Sequence, residues 1–216
     1  MSFPLDTPPL EGRLVRLEPL THAHAAGLAA AAEEERRAYD YTVVPRAEEV
    51  TGYIDARLAH AGAGLLAPYA QVDRATGRAV GVTSFLDPRP WPSGTGLYAV
   101  EIGGTWLAAS AQGTGVNSEA KYLLFRHAFE HWNVVRVDLR TDARNERSRA
   151  ALAAVGATFE GVLRNWSPSW APGEDGRLRD SAMFSVTPQE WPATKEHLER
   201  RIAQKWARSR AVLSEA

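Results

Sequence analysis

The stretch that most constrains the fold runs from Tyr98 to Leu139 and switches twice between an extended and a helical pattern. Tyr98 to Ala108 is an apolar strand pattern, and about Ser118 to Trp132 carries apolar residues at helical spacing. Val135 to Leu139 then alternates apolar and charged residues, which is typical of a second strand. A strand, a helix and a strand in succession predict two parallel strands joined by a right-handed crossover.

The loop between the first strand and the helix, Gln112 to Asn117, contains two glycines one residue apart. Glycines let main-chain N–H groups turn toward a ligand, and a helix start adds further unpaired N–H groups and a partial positive charge. The loop therefore predicts an anion site, with a tight strand-to-helix turn as the alternative. It lacks the Gly-Lys-Ser/Thr ending of a nucleotide-hydrolysing loop, and Ser118 stands where a dinucleotide-binding loop has its third glycine.

Composition excludes several other classes of protein. The 216 residues show no internal break, so we expect one domain over 1–187 with a helical tail, 188–216, packed on it. A formal charge of −1 argues against nucleic acid as a partner, and the absence of cysteine excludes disulfides and a thiolate nucleophile. No apolar run approaches a membrane span and the first residues lack a secretion signal, so we expect a cytoplasmic protein without membrane contact.

Strand and helix patterns continue on both sides of the central stretch. Before it lie a strand pattern, two helix patterns and two further strand patterns: Arg13 to Pro19, Thr21 to Ala32, Ala47 to His60, Ala67 to Val72 and Ala79 to Phe85. After it come a helix ending at Gly156 and two strands, about Ala157 to Arg164 and Leu178 to Val186. The proline-rich segment Asp87 to Gly96 is expected to be a loop, and Gly103-Gly104 predicts a bulge.

Four stretches carry a family resemblance, covering about Leu14 to Val186. They are Leu10 to Pro19, Gln112 to Phe129, Arg144-Asn145-Glu146-Arg147-Ser148, and Phe159 to Arg164 followed by Arg179-Asp180. Together they resemble the GNAT superfamily of acyl-CoA-dependent N-acetyltransferases, closest to its RimJ/RimL-like branch. The resemblance implies an α/β fold with a mixed sheet of about seven strands and helices on both faces. It implies acetyl-CoA as co-substrate and no metal.

The same resemblance assigns a coenzyme A site. The amides of the loop would hold the pyrophosphate: Gln112, Gly113, Thr114, Gly115, Val116 and Asn117. Strand backbone at Trp106, Leu107 and Ala108 would pair with the pantetheine amides. Asn117 stands where the family usually has Gly or Ala, so it is a departure that can also cap the helix.

The resemblance also suggests catalytic roles for individual side chains, each with a structural alternative. Asn145 matches the residue that hydrogen-bonds the pantetheine arm, and capping the following helix is the alternative. Ser148 matches a serine near the thiolate leaving group, and an inert inward hydroxyl is the alternative. Many members have a tyrosine acid where this chain has Leu152. We take Glu101 as the base, against a carboxylate simply paired with an arginine.

The resemblance implies that the acceptor is a primary amine, either a small molecule or a protein N-terminus. Trp91, Trp166 and Trp170 stand on two proline-rich loops and are expected to frame an aromatic-walled acceptor pocket, although packing on the protein itself is the alternative for Trp91.

Two other functions remain open at this point: a non-catalytic acyl-CoA-binding module, and a transferase using another donor such as succinyl-CoA. The second would need cationic side chains near the thioester. Apolar residues in the tail also suggest a homodimer.

Overall fold

The computed structural model describes residues 5–214 of the chain, and side chains within 5–208. In these described residues, eight strands form one sheet. In chain order they are β1 (Leu10–Glu11), β2 (Val15–Pro19), β3 (Leu66–Asp73), β4 (Ala79–Pro90), β5 (Leu97–Leu107), β6 (Arg136–Asp142), β7 (Thr158–Pro168) and β8 (Leu178–Val186). Their spatial order is β1-β2-β3-β4-β5-β6-β8-β7. The mixed sheet is confirmed, with one strand more than predicted because the short β1 pairs at the edge beside β2.

The predicted pair of parallel strands is confirmed: β5 and β6 are neighbours in the sheet and run parallel. All other neighbours in the sheet are antiparallel. The parallel pairing is short, with Ala99 to Glu101 facing Arg136 to Asp138. Beyond Glu101 the two strands separate, so the sheet opens toward their carboxyl ends.

Within residues 5–214, five α-helices cover the two faces of the sheet. They are α1 (Ala25–Ala32), α2 (Val50–Gly62), α3 (Val116–Arg126), α4 (Glu146–Ala154) and α5 (Trp191–Ser214). On β4, Ser84 contacts Arg57 of α2, whereas Thr83 contacts Lys121 of α3. Because successive strand residues point to opposite faces, α2 and α3 lie on opposite sides of the sheet.

The proline-rich segment after Phe85 does not form the loop that was predicted over its whole length. β4 continues through it to Pro90, with irregular register against β5 and a positive φ of 47° at Asp87. The pairing of β4 with β3 ends at Leu86, so Pro88 and Pro90 lie where β4 has a free edge. Proline is tolerated there because no ladder hydrogen bond is lost on that side.

The helix after the anion loop begins two residues earlier than predicted, at Val116, and ends in a π turn, His127–His131. In this turn the ring of His127 is buried against Phe85 and Trp132, although a regular α-helix would carry it away from the apolar face of α3. The wider π turn shifts the helix face by part of a turn, which a pattern of 3.6 residues does not anticipate.

The tail helix α5 packs on the rest of the chain. Trp191, Leu198 and Ile202 are buried, and Trp191 stacks on Phe129 at 5.4 Å. The apolar residues that suggested a homodimer therefore cover the protein's own α3 region, which removes the reason for that prediction. Within the part of the chain that is described, no helix combines the length and apolarity needed to cross a membrane.

A buried carboxylate fixes the start of α3 to the start of the chain. Glu119 accepts the main-chain N–H groups of Arg13, Leu14 and Val15 at 2.9, 2.5 and 2.9 Å. A Cβ on Gly12 would lie 2.4 Å from Glu119 Oε2, so glycine is required there. Two of the stretches that carry the resemblance, Leu10 to Pro19 and Gln112 to Phe129, are therefore joined by this contact. It holds the first turn of α3 beside the sheet.

Candidate active site

The anion loop, residues 112–117, has the geometry of a main-chain anion receptor. Gly113 and Gly115 adopt positive φ values of 75° and 114°, and Gly115 is the N-cap of α3. Thr114 is pinned by its hydroxyl, which donates to the carbonyl of Ala111 at 2.7 Å. Between Gly113 and Ser118, the main-chain N–H groups without a protein acceptor in the described part of the chain are those of Gly113, Thr114, Gly115, Asn117 and Ser118. Their consecutive positions and the helix dipole define a site for a diphosphate.

Cationic side chains surround the anion loop, and no sequence pattern placed them there. Lys205 Nζ of α5 donates to the carbonyl of Gly113 at 2.6 Å, and Arg147 Nη2 of α4 donates to Gln112 Oε1 at 2.6 Å. Arg201 Nε of α5 donates to Ser118 Oγ at 3.0 Å. Two helices, α4 and α5, thus bring positive charge to one loop, which favours a multiply charged anion.

The segment predicted to pair with pantetheine lies on the open edge of β5. Its carbonyls are partly engaged: that of Leu107 accepts from Tyr39 Oη at 2.7 Å and Gln112 Nε2 at 2.8 Å, and that of Trp106 accepts from Gln71 Nε2 at 3.2 Å. The Ala108 N–H donates to Val80. Hydrogen bonding to an extended ligand therefore falls to the remaining β6-facing groups between Ile102 and Leu107.

The glycine pair in β5 forms the predicted bulge, here called the 103–104 bulge. Val82 pairs with Trp106 and Ser84 with Gly103, so β5 carries one extra residue, and Gly104 has a φ of 58°. Lys121 supports the bulge from the α3 face, where its buried Nζ donates to Thr105 Oγ1 at 2.8 Å. The bulge begins two residues after Glu101, the last residue of β5 that pairs with β6.

Glu101 lies beside this bulge. Its side chain is 7% exposed, and Oε1 accepts from Arg140 Nε at 3.1 Å. A Cβ on Gly103 would lie 2.8 Å from that same oxygen, so the carboxylate lies over bare backbone. Burial raises the pKa of Glu101, and the positive charge of Arg140 opposes this effect. Glu101 is thus paired with an arginine, which was the alternative to its role as the base. It also has the raised pKa that a general base needs.

Asn145 and Ser148 lie together at the start of α4. Asn145 Oδ1 accepts the Ser148 main-chain N–H at 2.9 Å, so the asparagine caps the helix. Its amide nitrogen makes no hydrogen bond within the described residues and is free for a ligand. Ser148 is half-buried, and its hydroxyl likewise has no protein partner there. Because Arg147 contacts Gln112, this helix start borders the anion loop.

The three tryptophans do not form one pocket. Trp91 lies at the amino end of β5, where its N–H donates to Gly96 and its ring packs on Tyr98 at 5.4 Å. The hairpin that carries Trp166 and Trp170 extends past the Ser181–Asp142 pair, at the carboxyl end of β6. Since β5 and β6 are parallel, the two groups lie at opposite ends of the sheet. Trp91 is therefore removed from the predicted acceptor pocket.

The other two tryptophans are both about half exposed, at 50% for Trp166 and 53% for Trp170. Their hairpin is tied to the β6–α4 loop, because Arg144 pairs with both Asp142 and Glu174. Arg144 also lies over the ring of Tyr41 at 5.1 Å, which brings the α1–α2 connection to the same place. A cleft of about 350 Å³ opens there between Asp142, Arg144, Arg177 and Arg179.

A cluster of metal-ligating side chains lies away from these residues. Ligand atoms of Asp6, His127 and His131 are within 4.8 Å of one another, at the end of α3 opposite the anion loop. A cation at that position would not touch the groups described above. The expectation that the reaction needs no metal stays a prediction.

A βαβ unit whose strands separate at the centre, with free main-chain amides at the start of its helix, is the arrangement expected of an acyltransferase that uses acyl-coenzyme A. The chain belongs to the GNAT acetyltransferase family, since residues 14–158 match the model of the acetyltransferase (GNAT) domain. It is an N-acetyltransferase by that membership, as predicted from the sequence.

Solved structures agree with this assignment. A candidate acetyltransferase from T. thermophilus is 35% identical, with 92% of this chain and 99% of that chain covered and a TM-score of 0.76. A GCN5-related N-acetyltransferase from Brucella melitensis is 26% identical over 91% and 86% of the two chains, with a TM-score of 0.79. Mycobacterium smegmatis RimJ, solved with a CoA-disulfide, shares the fold at 22% identity, 93% and 96% coverage and a TM-score of 0.71. No curated protein gave a significant match.

Proposed function

We propose that the protein transfers the acetyl group of acetyl-CoA to a primary amine within a ternary complex. The observation that carries the proposal is the group of unpaired amides in the anion loop, next to an open β5 edge. Enzymes of this family use acetyl-CoA, and such a loop is suited to the diphosphate of that molecule.

In this proposal coenzyme A extends from the anion loop along β5 toward the 103–104 bulge. Gly103 lies four positions before Leu107 in β5, about 13 Å away at the usual rise of a strand. The thioester then lies where β5 and β6 part, near Glu101 and the start of α4. Asn145 Nδ2 is available to hydrogen-bond the pantetheine arm without releasing the helix cap, because the cap uses only Oδ1.

The chemical step joins the amine nitrogen to the thioester carbon and breaks the carbon–sulfur bond. Glu101 takes the proton that the amine loses, directly or through water. The departing thiolate takes a proton from the Ser148 hydroxyl, which recovers one through solvent from Glu101. The products are an amide and the free thiol of coenzyme A. Holding both reactants in one orientation supplies much of the acceleration.

The acceptor approaches from the α2 face, on which Glu101 lies. Tyr41 contacts Arg144, which lines the cleft at the carboxyl end of β6, and Trp166 and Trp170 are half exposed on the hairpin beside that cleft. These rings are available for aromatic contacts to an amine. A small amine and a protein N-terminus both fit this open arrangement.

A thiol-release assay tests the proposal. The enzyme is mixed with acetyl-CoA and a panel of small amines and N-terminal peptides, and product is verified by mass spectrometry. We expect amine-dependent release of coenzyme A, with reactions lacking amine as the control for hydrolysis. Calorimetry with coenzyme A runs in parallel. Tight binding without turnover on any amine would contradict the transfer reaction and favour a non-catalytic binding module.

A further inference from the structure

Arg57 of α2 lies against the 103–104 bulge. A Cβ on Gly104 would lie 2.8 Å from its Nη1 and 3.1 Å from its Nη2. Nη1 donates to Ser84 Oγ at 3.2 Å, and the guanidinium lies over the Tyr53 ring at 4.9 Å. Tyr53 is in turn held by Trp106 Nε1, which donates to Tyr53 Oη at 3.2 Å. The guanidinium is therefore fixed in place by three neighbours rather than free in solvent.

None of these neighbours carries a negative charge. Within residues 5–208, no carboxylate lies within ion-pair distance of Arg57. Glu101 shares the same face of β5, but its Oε1 is bonded by Arg140. Asp138, also on this face, is paired with Arg89 and Arg136. The carboxylates that neutralise this face are thus engaged by other arginines, which leaves a half-buried positive charge at the bulge.

The positive charge of Arg57 lies on the same side of the 103–104 bulge as Glu101. Both residues of the bulge face α2, because the Cβ positions of Gly103 and Gly104 meet Glu101 and Arg57 respectively. The base assigned above and the unpaired cation thus flank the same stretch of backbone. Under the proposed reaction the thioester carbon lies beside this stretch, so Arg57 faces the reacting groups.

We infer that Arg57 is a receptor for a carboxylate carried by one of the two substrates, next to the transferred acyl group. A planar guanidinium with a free edge suits a carboxylate, which it can bind through two parallel hydrogen bonds. The carboxylate belongs either to the acyl chain, as in succinyl-CoA, or to the acceptor, as in an α-amino acid or an acidic peptide. This inference rests on the proposed function and adds its substrate class.

Two arms of one kinetic experiment distinguish the sources. In the first, kcat/KM is measured for succinyl-CoA and acetyl-CoA with one amine that carries no carboxylate. In the second, acetyl-CoA is used with pairs of acceptors that differ only in a carboxylate, such as an amino acid and its amide. We expect the carboxylate-bearing member of one pair to be preferred. Arg57→Gln should lower its kcat/KM roughly 10- to 100-fold, as loss of a hydrogen bond to a charged group does.

Controls separate this effect from a general loss of function. The member of each pair that lacks the carboxylate should retain its kcat/KM in Arg57→Gln. Calorimetry should show unchanged binding of coenzyme A. Arg57→Lys keeps the charge without the planar edge and should retain part of the preference. Arg126→Gln is the matched control, since Arg126 also lies over a tyrosine ring, at 5.5 Å, but on α3 away from the bulge.

The outcomes are distinct. One outcome is turnover on substrates without a carboxylate, no preference for a carboxylate in either arm, and no effect of Arg57→Gln. That outcome would overturn the inference and leave the acetyl-transfer proposal intact. An equal loss of kcat/KM in Arg57→Gln for the members with and without a carboxylate would show that Arg57 only supports the fold. Absence of turnover with every donor and acceptor would instead contradict the proposed function itself.

Discussion

Glu101 illustrates how one residue can be predicted from its position while its chemistry depends on the fold. Its place before the glycine pair made it a candidate base, and the structure adds burial, a raised pKa and the Arg140 contact. The sequence could not supply Arg140 because that residue is on another strand. The same is true of Arg57, which reaches the bulge from a helix 47 residues earlier than Gly104.

Replacing Glu101 with Gln should lower kcat/KM by about 10²- to 10⁴-fold, the usual effect of losing a general base. Because burial raises the pKa above the ordinary 4.5, the folded enzyme keeps this proton to a higher pH. The wild-type rate should therefore fall as pH drops through that raised pKa, and the acidic limb should vanish in the variant. A pH–rate profile checks this, with the exposed Glu196→Gln as control. An unchanged acidic limb would exclude Glu101 as the base.

Ser148 offers a second test at the level of one atom. Ser148→Ala removes the hydroxyl but keeps the main-chain N–H that Asn145 caps, so α4 should stay folded. We expect kcat to fall by about 10²-fold while the Kd for coenzyme A is nearly unchanged. Steady-state kinetics and calorimetry on the same sample measure both. Undiminished turnover would leave the hydroxyl without a catalytic role.

At the scale of elements, the strand, anion loop and helix were predictable because local patterns determine each of them. Glycines with positive φ, apolar spacing in α3 and alternation in β6 are all visible in sequence. Three features were not predictable because each depends on neighbours distant in sequence. They are the π turn, the continuation of β4 into the prolines and the separation of the tryptophans. The register between β5 and β6 is what places Trp91 and Trp170 at opposite ends.

Gly115 tests the anion loop as a unit. Its φ is 114°, and a Cβ there would meet Lys205 Cβ at 2.8 Å and Leu14 Cδ1 at 2.9 Å. Gly115→Leu should therefore distort the loop and weaken coenzyme A binding by at least about tenfold. Gly52→Ala in α2 is the matched control, since nothing lies within 4 Å of that Cβ. Equal Kd values for the two variants would show that the loop geometry does not determine affinity.

At the scale of the whole molecule, a buried lysine connects the stability of the fold to pH. Lys121 joins α3 to the hydroxyls of Thr83 and Thr105, and burial lowers its pKa from 10.5 to about 7. Between these two values the unfolded chain holds a proton that the folded chain has released. The free energy of unfolding should then rise with pH over this interval.

Lys121→Met removes this titration while keeping the length of the side chain. Below about pH 7 lysine is charged in both states, so its contribution there is constant. Relative to the wild type, the variant should be most stable at pH 6, and its advantage should shrink toward pH 10. Denaturant unfolding at several pH values measures the difference. A difference that does not change with pH would contradict a depressed lysine pKa.

The central claim is that main-chain amides of the anion loop grip the diphosphate of coenzyme A. Amide NMR of the ¹⁵N-labelled protein, titrated with coenzyme A, tests it most directly. We predict large shifts for Gly113, Thr114, Gly115, Asn117 and Ser118, with little change at the other end of α3 around His131. Binding of coenzyme A that left these amides unshifted would contradict the claim.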